Sequence, residues 1–347
     1  MIRLALALCF LVFPVMVSAE GEAETSYAIL GFEDLEGWAD DNHQSALDVF
    51  RATCGDMSDP EWVPLCKVAT EAQDARAFFE LFFRPVLISD GSETALFTGY
   101  YEPELNGAPY PSARFRYPIY AMPPEARLSR PWLTRRDILT SGIMDNRGLE
   151  IAWVDDPVEL FFLQIQGSGR VRFPDGRTIR VGYGGSNGHN YRSIGQELVR
   201  RGTYDAHQVS AQVIKSWVRR NPGPGEELLF HNDGYVFFRE VSEVPADKGP
   251  LGAMNRSITA MRSIAVDPKF TPLGAPVWIE KQGKGPLNRL MIAQDTGSAI
   301  KGAQRADIFI GTGEDAGQIA GRIKDPGRMI VLMPIQRAYA LLPEWLQ

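Results

Sequence analysis

Histidine and cysteine are scarce in this chain, with 4 His and 3 Cys among 347 residues. His43, His189, His207 and His231 share no metal-ligand spacing, and no third or fourth ligand gathers near Cys54 and Cys66, so the common zinc patterns are excluded. A phosphate loop is missing too: the glycine-rich run Gly182–Asn190 lacks a Gly-Lys-Ser/Thr ending and follows no βαβ pattern. Gln166-Gly167-Ser168-Gly169 fails the spacing of a serine-nucleophile turn, and no triad is evident. Basic residues are not in excess. With 36 Lys and Arg against 43 Asp and Glu the formal charge is −7, which gives no support to nucleic-acid binding. Repeats, low-complexity tracts and long linkers are absent, and nothing implies a metal or another cofactor.

What is present begins with an export signal. Met1-Ile2-Arg3 carries one positive charge, Leu4–Val17 is uncharged and apolar, and Val17-Ser18-Ala19 offers small residues before Glu20. The run is short and interrupted by Pro14, a poor membrane span. Residues 1–19 are expected to be a signal peptide cleaved after Ala19. Cys9, in mid-run behind Leu8, does not match a lipid-attachment site. Cys54 and Cys66 would then meet an oxidising compartment and form a disulfide, whose loop stabilises by about 2–3 kcal/mol.

The length suits roughly two domains, and an apolar fraction of 44% with 23% charged residues is ordinary for a globular chain. From Lys67 to Arg84, apolar residues recur at helical spacing until Pro85. Ala95–Pro103 reads as a strand, and the prolines between 103 and 131 mark a boundary. Val158–Gln166 reads as a strand with two apolar faces, as in a closed or sandwiched sheet. Arg170–Phe173 and Arg177–Val181 read as a hairpin about Asp175-Gly176. A helix is expected over Arg192–Arg201, another after Asp205 as N-cap, stopped by Asn221-Pro222-Gly223-Pro224-Gly225, then a strand at Leu228–His231. After residue 250, short β-runs dominate, with helices near Gly313–Ile323 and from Ile335. The class is mainly β with helices, α+β.

The chemistry concentrates in Ala293–Gly313. Asp295 ends the apolar run Leu290–Ala293, and Asp307 lies within Ala306–Ile310. Alternation turns Asp307 toward the side of Phe309, away from Ala306, Ile308 and Ile310. A carboxylate on a stiff apolar strand loses solvation, which raises its pKa toward proton-donating range. Turn capping would also account for Asp295. Tyr100-Tyr101-Glu102, Gln164 and Gln166 add the rings and amides that a polysaccharide groove requires.

Five segments together resemble the membrane-bound lytic murein transglycosylase A family with its C-terminal three-aspartate domain. They are Phe97–Pro103, Val158–Val171, Gly182–Gly195, Met254–Glu280 and Ala293–Gly313. The family's three aspartates map onto Asp267, Asp295 and Asp307. The resemblance implies a double-psi β-barrel domain over 20–105 and 245–347, an inserted β-barrel-like domain over 106–244, and a glycan groove between them. It also implies peptidoglycan strands as partner, a periplasmic location, association with the outer membrane or cell-wall machinery, and a monomer.

By the same mapping Asp307 is the single catalytic acid and Asp295 its nearest carboxylate neighbour. Thr98, Tyr100, Tyr101, Gln166, Ser168 and Lys301 are candidates for sugar contacts. The implied reaction cleaves the MurNAc–GlcNAc β-1,4 bond and closes the muramic 6-hydroxyl onto C1, leaving a 1,6-anhydro end. Two other readings stand beside it: a non-catalytic, expansin-like wall-binding protein, and a hydrolytic muramidase.

Overall fold

The computed structural model describes residues 25–342 apart from residue 93; the export segment lies outside the described residues. The chain opens with strand β1 (Ser26–Ile29), helices α1 (His43–Cys54), α2 (Val63–Glu71) and α3 (Ala75–Phe82), and strands β2 (Phe83–Ser89) and β3 (Ala95–Glu102). A second sheet follows: β4 (Glu104–Ala108), β5 (Tyr117–Tyr120), β6 (Glu150–Val154), β7 (Gly169–Arg172), β8 (Thr178–Ser186) and β9 (Val236–Glu240). Six helices are threaded between these strands: α4 (Pro124–Leu128), α5 (Arg135–Thr140), α6 (Pro157–Gln166), α7 (Ile194–Arg200), α8 (Ala211–Arg220) and α9 (Pro222–Phe230). The chain then returns to the first sheet through β10 (Ser263–Val266), β11 (Pro276–Lys281), β12 (Leu287–Thr296), β13 (Arg305–Thr312), α10 (Glu314–Ala320), β14 (Lys324–Pro334) and α11 (Ile335–Ala340).

The first sheet runs β1-β2-β14-β11-β12-β10-β13-β3, and β14 also pairs with β3, which closes six strands into a barrel. β10–β12 and β13–β3 are parallel, and the other pairings are antiparallel. Closure removes the edges that an open sheet would expose. The barrel interior, with Phe97, Trp278, Ile292 and Ile308, is continuous with an aromatic cluster of Phe50, Trp62, Phe79 and Phe83 under α1–α3. Cys54 and Cys66 are joined by a disulfide that ties the end of α1 to α2. The second sheet runs β5-β6-β4-β7-β8-β9, and a single bridge from Ala121 to Phe238 links its two edge strands. The mixed α+β class and the barrel are therefore as expected.

Several local readings are corrected. Residues 157–166 form a helix instead of a strand. Asp156 caps it by accepting from the backbone N–H groups of Val158 (2.8 Å) and Glu159 (3.3 Å), Pro157 occupies its first turn, and Gly167 ends it at φ +80°. Two of its faces are apolar because Leu160 and Leu163 pack on the second sheet while Val158, Phe161 and Phe162 pack on α7–α9.

Leu228–His231 falls in helix α9 and the turn after it. The Pro222-Gly223-Pro224 run opens this helix as much as it stops α8, since proline tolerates a first turn. Asp205 caps only a short 3₁₀ turn, and Ser210 caps α8 by accepting from Val213 N at 3.3 Å. The predicted helix over 67–84 is two helices. Asp74 re-nucleates the second by accepting from Ala77 N at 3.0 Å, and Pro85 lies within β2. The proline-rich stretch after Pro103 holds β4, β5 and α4.

Candidate active site

Strand alternation selects the residues that face away from the barrel core. On β3, Phe97 points inward, leaving Thr98 and Tyr100 outside. Gly99 between them admits helix α10, because a Cβ there would lie 2.9 Å from Ala320 Cα. On β10, Ile264 and Val266 enter the core and Ala265 does not. Asp307 pairs with Ala265 from one side and Asp295 pairs with it from the other, so one alanine methyl lies between two carboxylates on the same face. Asp307 is also the direct register partner of Thr98.

The two carboxylates are held differently. Asp295 accepts three hydrogen bonds: from Tyr100 Oη at 2.9 Å, Ala253 N at 3.0 Å and Thr296 N at 2.9 Å. Asp307 accepts one, from Thr98 Oγ1 at 2.6 Å. Arg305 does not reach Asp307 with a hydrogen bond; its Nη2 donates to Thr98 Oγ1 at 2.8 Å, and its Nη1 donates to the Ala306 carbonyl at 2.6 Å. Thr98 is thus a relay between guanidinium and carboxylate.

Burial pushes Asp307 up to about 6; the Thr98 hydroxyl and the Arg305 charge oppose the rise, and the Asp295 charge adds to it. Burial also raises Asp295, opposed by the donors at Thr296, Tyr100 and Ala253. Both carboxylates keep a partly solvent-reachable side chain despite this desolvation. Tyr100 is desolvated and lies in the field of both acids, which raises its pKa well above the ordinary value, so it stays a donor. Its ring packs on Phe309 with centroids 5.3 Å apart.

Asp267, the third aspartate, is buried and does another task. Its Oδ1 accepts from Lys269 N at 3.2 Å and its Oδ2 from Gly302 N at 3.0 Å, which ties down the loop leading into β13. Of the other predicted contact residues, Gln166 accepts from Tyr101 N at 3.0 Å through Oε1. Tyr101 packs so closely under α10 that a Cβ on Gly317 would meet its ring at 2.7 Å. Ser168 is buried in the turn between α6 and β7, and Lys301 is exposed on the β12–β13 loop. None of these four hydrogen-bonds either carboxylate. His189 bonds the Trp132 carbonyl at 2.7 Å. No cluster of three or more His, Cys, Asp or Glu suited to a metal occurs among the described residues.

Sequence reasoning missed the anchor beside the site. Glu102 is wholly buried and accepts from Arg170 Nε at 2.9 Å, Arg180 Nε at 2.7 Å and Thr312 Oγ1 at 2.8 Å. Both arginines also donate to the Lys248 carbonyl. The group joins β3 and β13 of the barrel to β7 and β8 of the second sheet. A signal existed in the hairpin: Arg170 and Arg180 are cross-strand partners, and two like charges in that position are relieved by an acid between them.

The comparisons with known proteins follow this architecture. Residues 96–239 match the MltA specific insert domain, and residues 262–333 match the 3D domain. A membrane-bound lytic murein transglycosylase A of Vibrio cholerae is 34% identical over 270 residues, covering 74% of this chain and 71% of that protein. The chain belongs to the membrane-bound lytic murein transglycosylase A family. It is accordingly an enzyme of the lytic murein transglycosylase class.

Solved structures agree with that membership. The membrane-bound lytic murein transglycosylase of Agrobacterium tumefaciens superposes with a TM-score of 0.82 at 32% identity, covering 91% of this chain and 100% of that one. E. coli MltA with bound chitohexaose superposes with a TM-score of 0.74 at 27% identity, covering 93% and 99%.

Proposed function

We propose that this chain cleaves the MurNAc–GlcNAc β-1,4 bond of peptidoglycan with Asp307 as its single catalytic acid, leaving 1,6-anhydro-MurNAc ends. The observation that carries the assignment is the unequal holding of the two acids. Three donors favour the ionised form of Asp295 and one donor serves Asp307, so the proton that the pair keeps longest as pH rises resides on Asp307. Protonated Asp307 gives that proton to the leaving glycosidic oxygen. Ionised Asp295 lowers the energy of the positive charge developing at C1. The Asp307 carboxylate then accepts the proton of the muramic 6-hydroxyl as that oxygen attacks C1. One carboxyl serves as acid and then base, whereas hydrolytic glycosidases divide those tasks between two carboxylates.

Thr98 and Tyr100 orient the two acids in this reading, and Tyr101, Gln166, Ser168 and Lys301 belong to the walls of the groove. The domain division is taken as 20–105 with 245–347 for the barrel and 106–244 for the insert. Residues 1–19 direct export to the periplasm. No helix among the described residues is long and apolar enough to cross a membrane.

Mass spectrometry of muropeptides released from purified sacculi tests the reading. Anhydro ends, lighter by one water than reducing ends, are expected. Reducing ends would indicate a hydrolase, and binding without release a wall-binding protein.

A further inference from the structure

The second domain contains a cavity of about 660 Å³ that includes neither Asp295 nor Asp307. That volume lies within the range of small-molecule sites. Arg135 lines the cavity, is 3% exposed and forms no ion pair with any carboxylate of the described residues. Its Nε donates to the Asn232 carbonyl at 3.0 Å, Nη1 to Gln164 Oε1 at 2.5 Å and Nη2 to the Gly234 carbonyl at 2.6 Å. Three of its five N–H groups are thereby used. The guanidinium stacks on Phe161 at 4.5 Å and on Tyr235 at 5.3 Å.

Tyr235 also lines the cavity, is 1% exposed, and has a hydroxyl with no hydrogen-bond partner among the described residues. Gln164 interacts with that hydroxyl, but no hydrogen bond of acceptable geometry joins them. A buried cation without an anion and a buried hydroxyl without a partner are each costly, and a ligand carboxylate in the cavity that both residues line offers a partner to each.

The walls narrow the ligand further. Ile138, Leu139 and Leu160 give the cavity apolar sides, and the exposed acids Asp145 and Glu226 stand among its lining residues. The exposed Arg116 and Arg219 line it as well, so the lining carries both signs, and its acids can take an ammonium. We infer that this cavity binds the free C-terminal carboxylate of a short peptide with small apolar side chains, Arg135 and Tyr235 taking the carboxylate. Given the proposed function, on which the biological source of the ligand rests, the occupant is a peptide stem of the murein being cleaved. The last turn of α6 connects the two places, since Gln164 lies in the cavity wall and Gln166 holds the backbone of Tyr101, next to Tyr100.

The test uses the full mature chain and two probes, D-alanyl-D-alanine and its C-terminal amide, with binding followed by calorimetry. The free acid is expected to bind at least about tenfold more tightly than the amide, the loss expected when a charge-assisted bond is removed. Leu139→Trp, at an exposed position of the cavity wall, should abolish binding while melting as the parent does. Tyr235→Phe should weaken binding without lowering the melting temperature. Equal binding of acid and amide, or binding unchanged in Leu139→Trp, overturns the inference. So does the absence of binding by a protein that still digests sacculi. Binding by a protein that releases nothing from sacculi upholds the carboxylate site and removes murein as its source.

Discussion

Thr98 and Asp307 face each other across adjacent parallel strands, and the threonine hydroxyl donates to the carboxylate at 2.6 Å while accepting from Arg305. Each link in that relay favours the ionised form of Asp307. Thr98→Val removes the one hydrogen bond that Asp307 accepts among the described residues and leaves burial less opposed. An acid that must be protonated to act then stays competent to higher pH. The alkaline limb of the pH–rate profile should move upward in Thr98→Val, and a profile that moves downward or stays fixed contradicts the assignment of the limb to Asp307.

The same raised pKa has a stability signature. Asp307 ionises near 3.8 in an unfolded chain and at about 6 in the fold, so folding favours the protonated form. That contribution is complete below about pH 4 and is lost as pH rises through about 6. Asparagine does not ionise. Asp307→Asn should therefore match the parent near pH 4 and exceed it by on the order of 1–3 kcal/mol at pH 8, with solvent access to the side chain holding the value down. Urea denaturation at the two pH values measures the difference, and a variant less stable than the parent at pH 8 is the contrary result.

Glu102 sets the relation between the two sheets. Glu102→Gln keeps the shape and leaves the buried Arg180 and the half-buried Arg170 without a carboxylate. Breaking such a group typically costs about 3–5 kcal/mol. A fall of that order in unfolding free energy is expected, together with loss of sacculus digestion, because the proposed groove lies between the two domains that Glu102 joins. An unchanged denaturation midpoint would show that the anchor carries no weight.

Much of this was legible in the sequence because period-two alternation acts through single residues. Asp307 beside Phe309, between Ala306 and Ile308, could be placed on the outer face of a strand before any coordinates. So could the hairpin about Asp175-Gly176, where the turn residues dictate the geometry. The α6 segment was misread because a helix packed on two sides shows little polar face, and ten apolar-rich residues then look like a core strand. Asp156, Pro157 and Gly167 were the signals that decide it.

The shared neighbour Ala265 and the donor at Ala253 were not readable. They depend on which strands lie side by side in a closed barrel, a long-range fact that no local pattern records. Asp267 shows the limit of motif mapping, since its name-giving place among three aspartates says nothing of its structural task.

The most direct measurement is the rate at which Asp307→Asn releases anhydro-muropeptides from purified sacculi, made beside a thermal melt of the same preparation. A variant that folds like the parent and releases essentially none is the predicted result. A folded variant that retains appreciable turnover would contradict the assignment of the proton donor to Asp307.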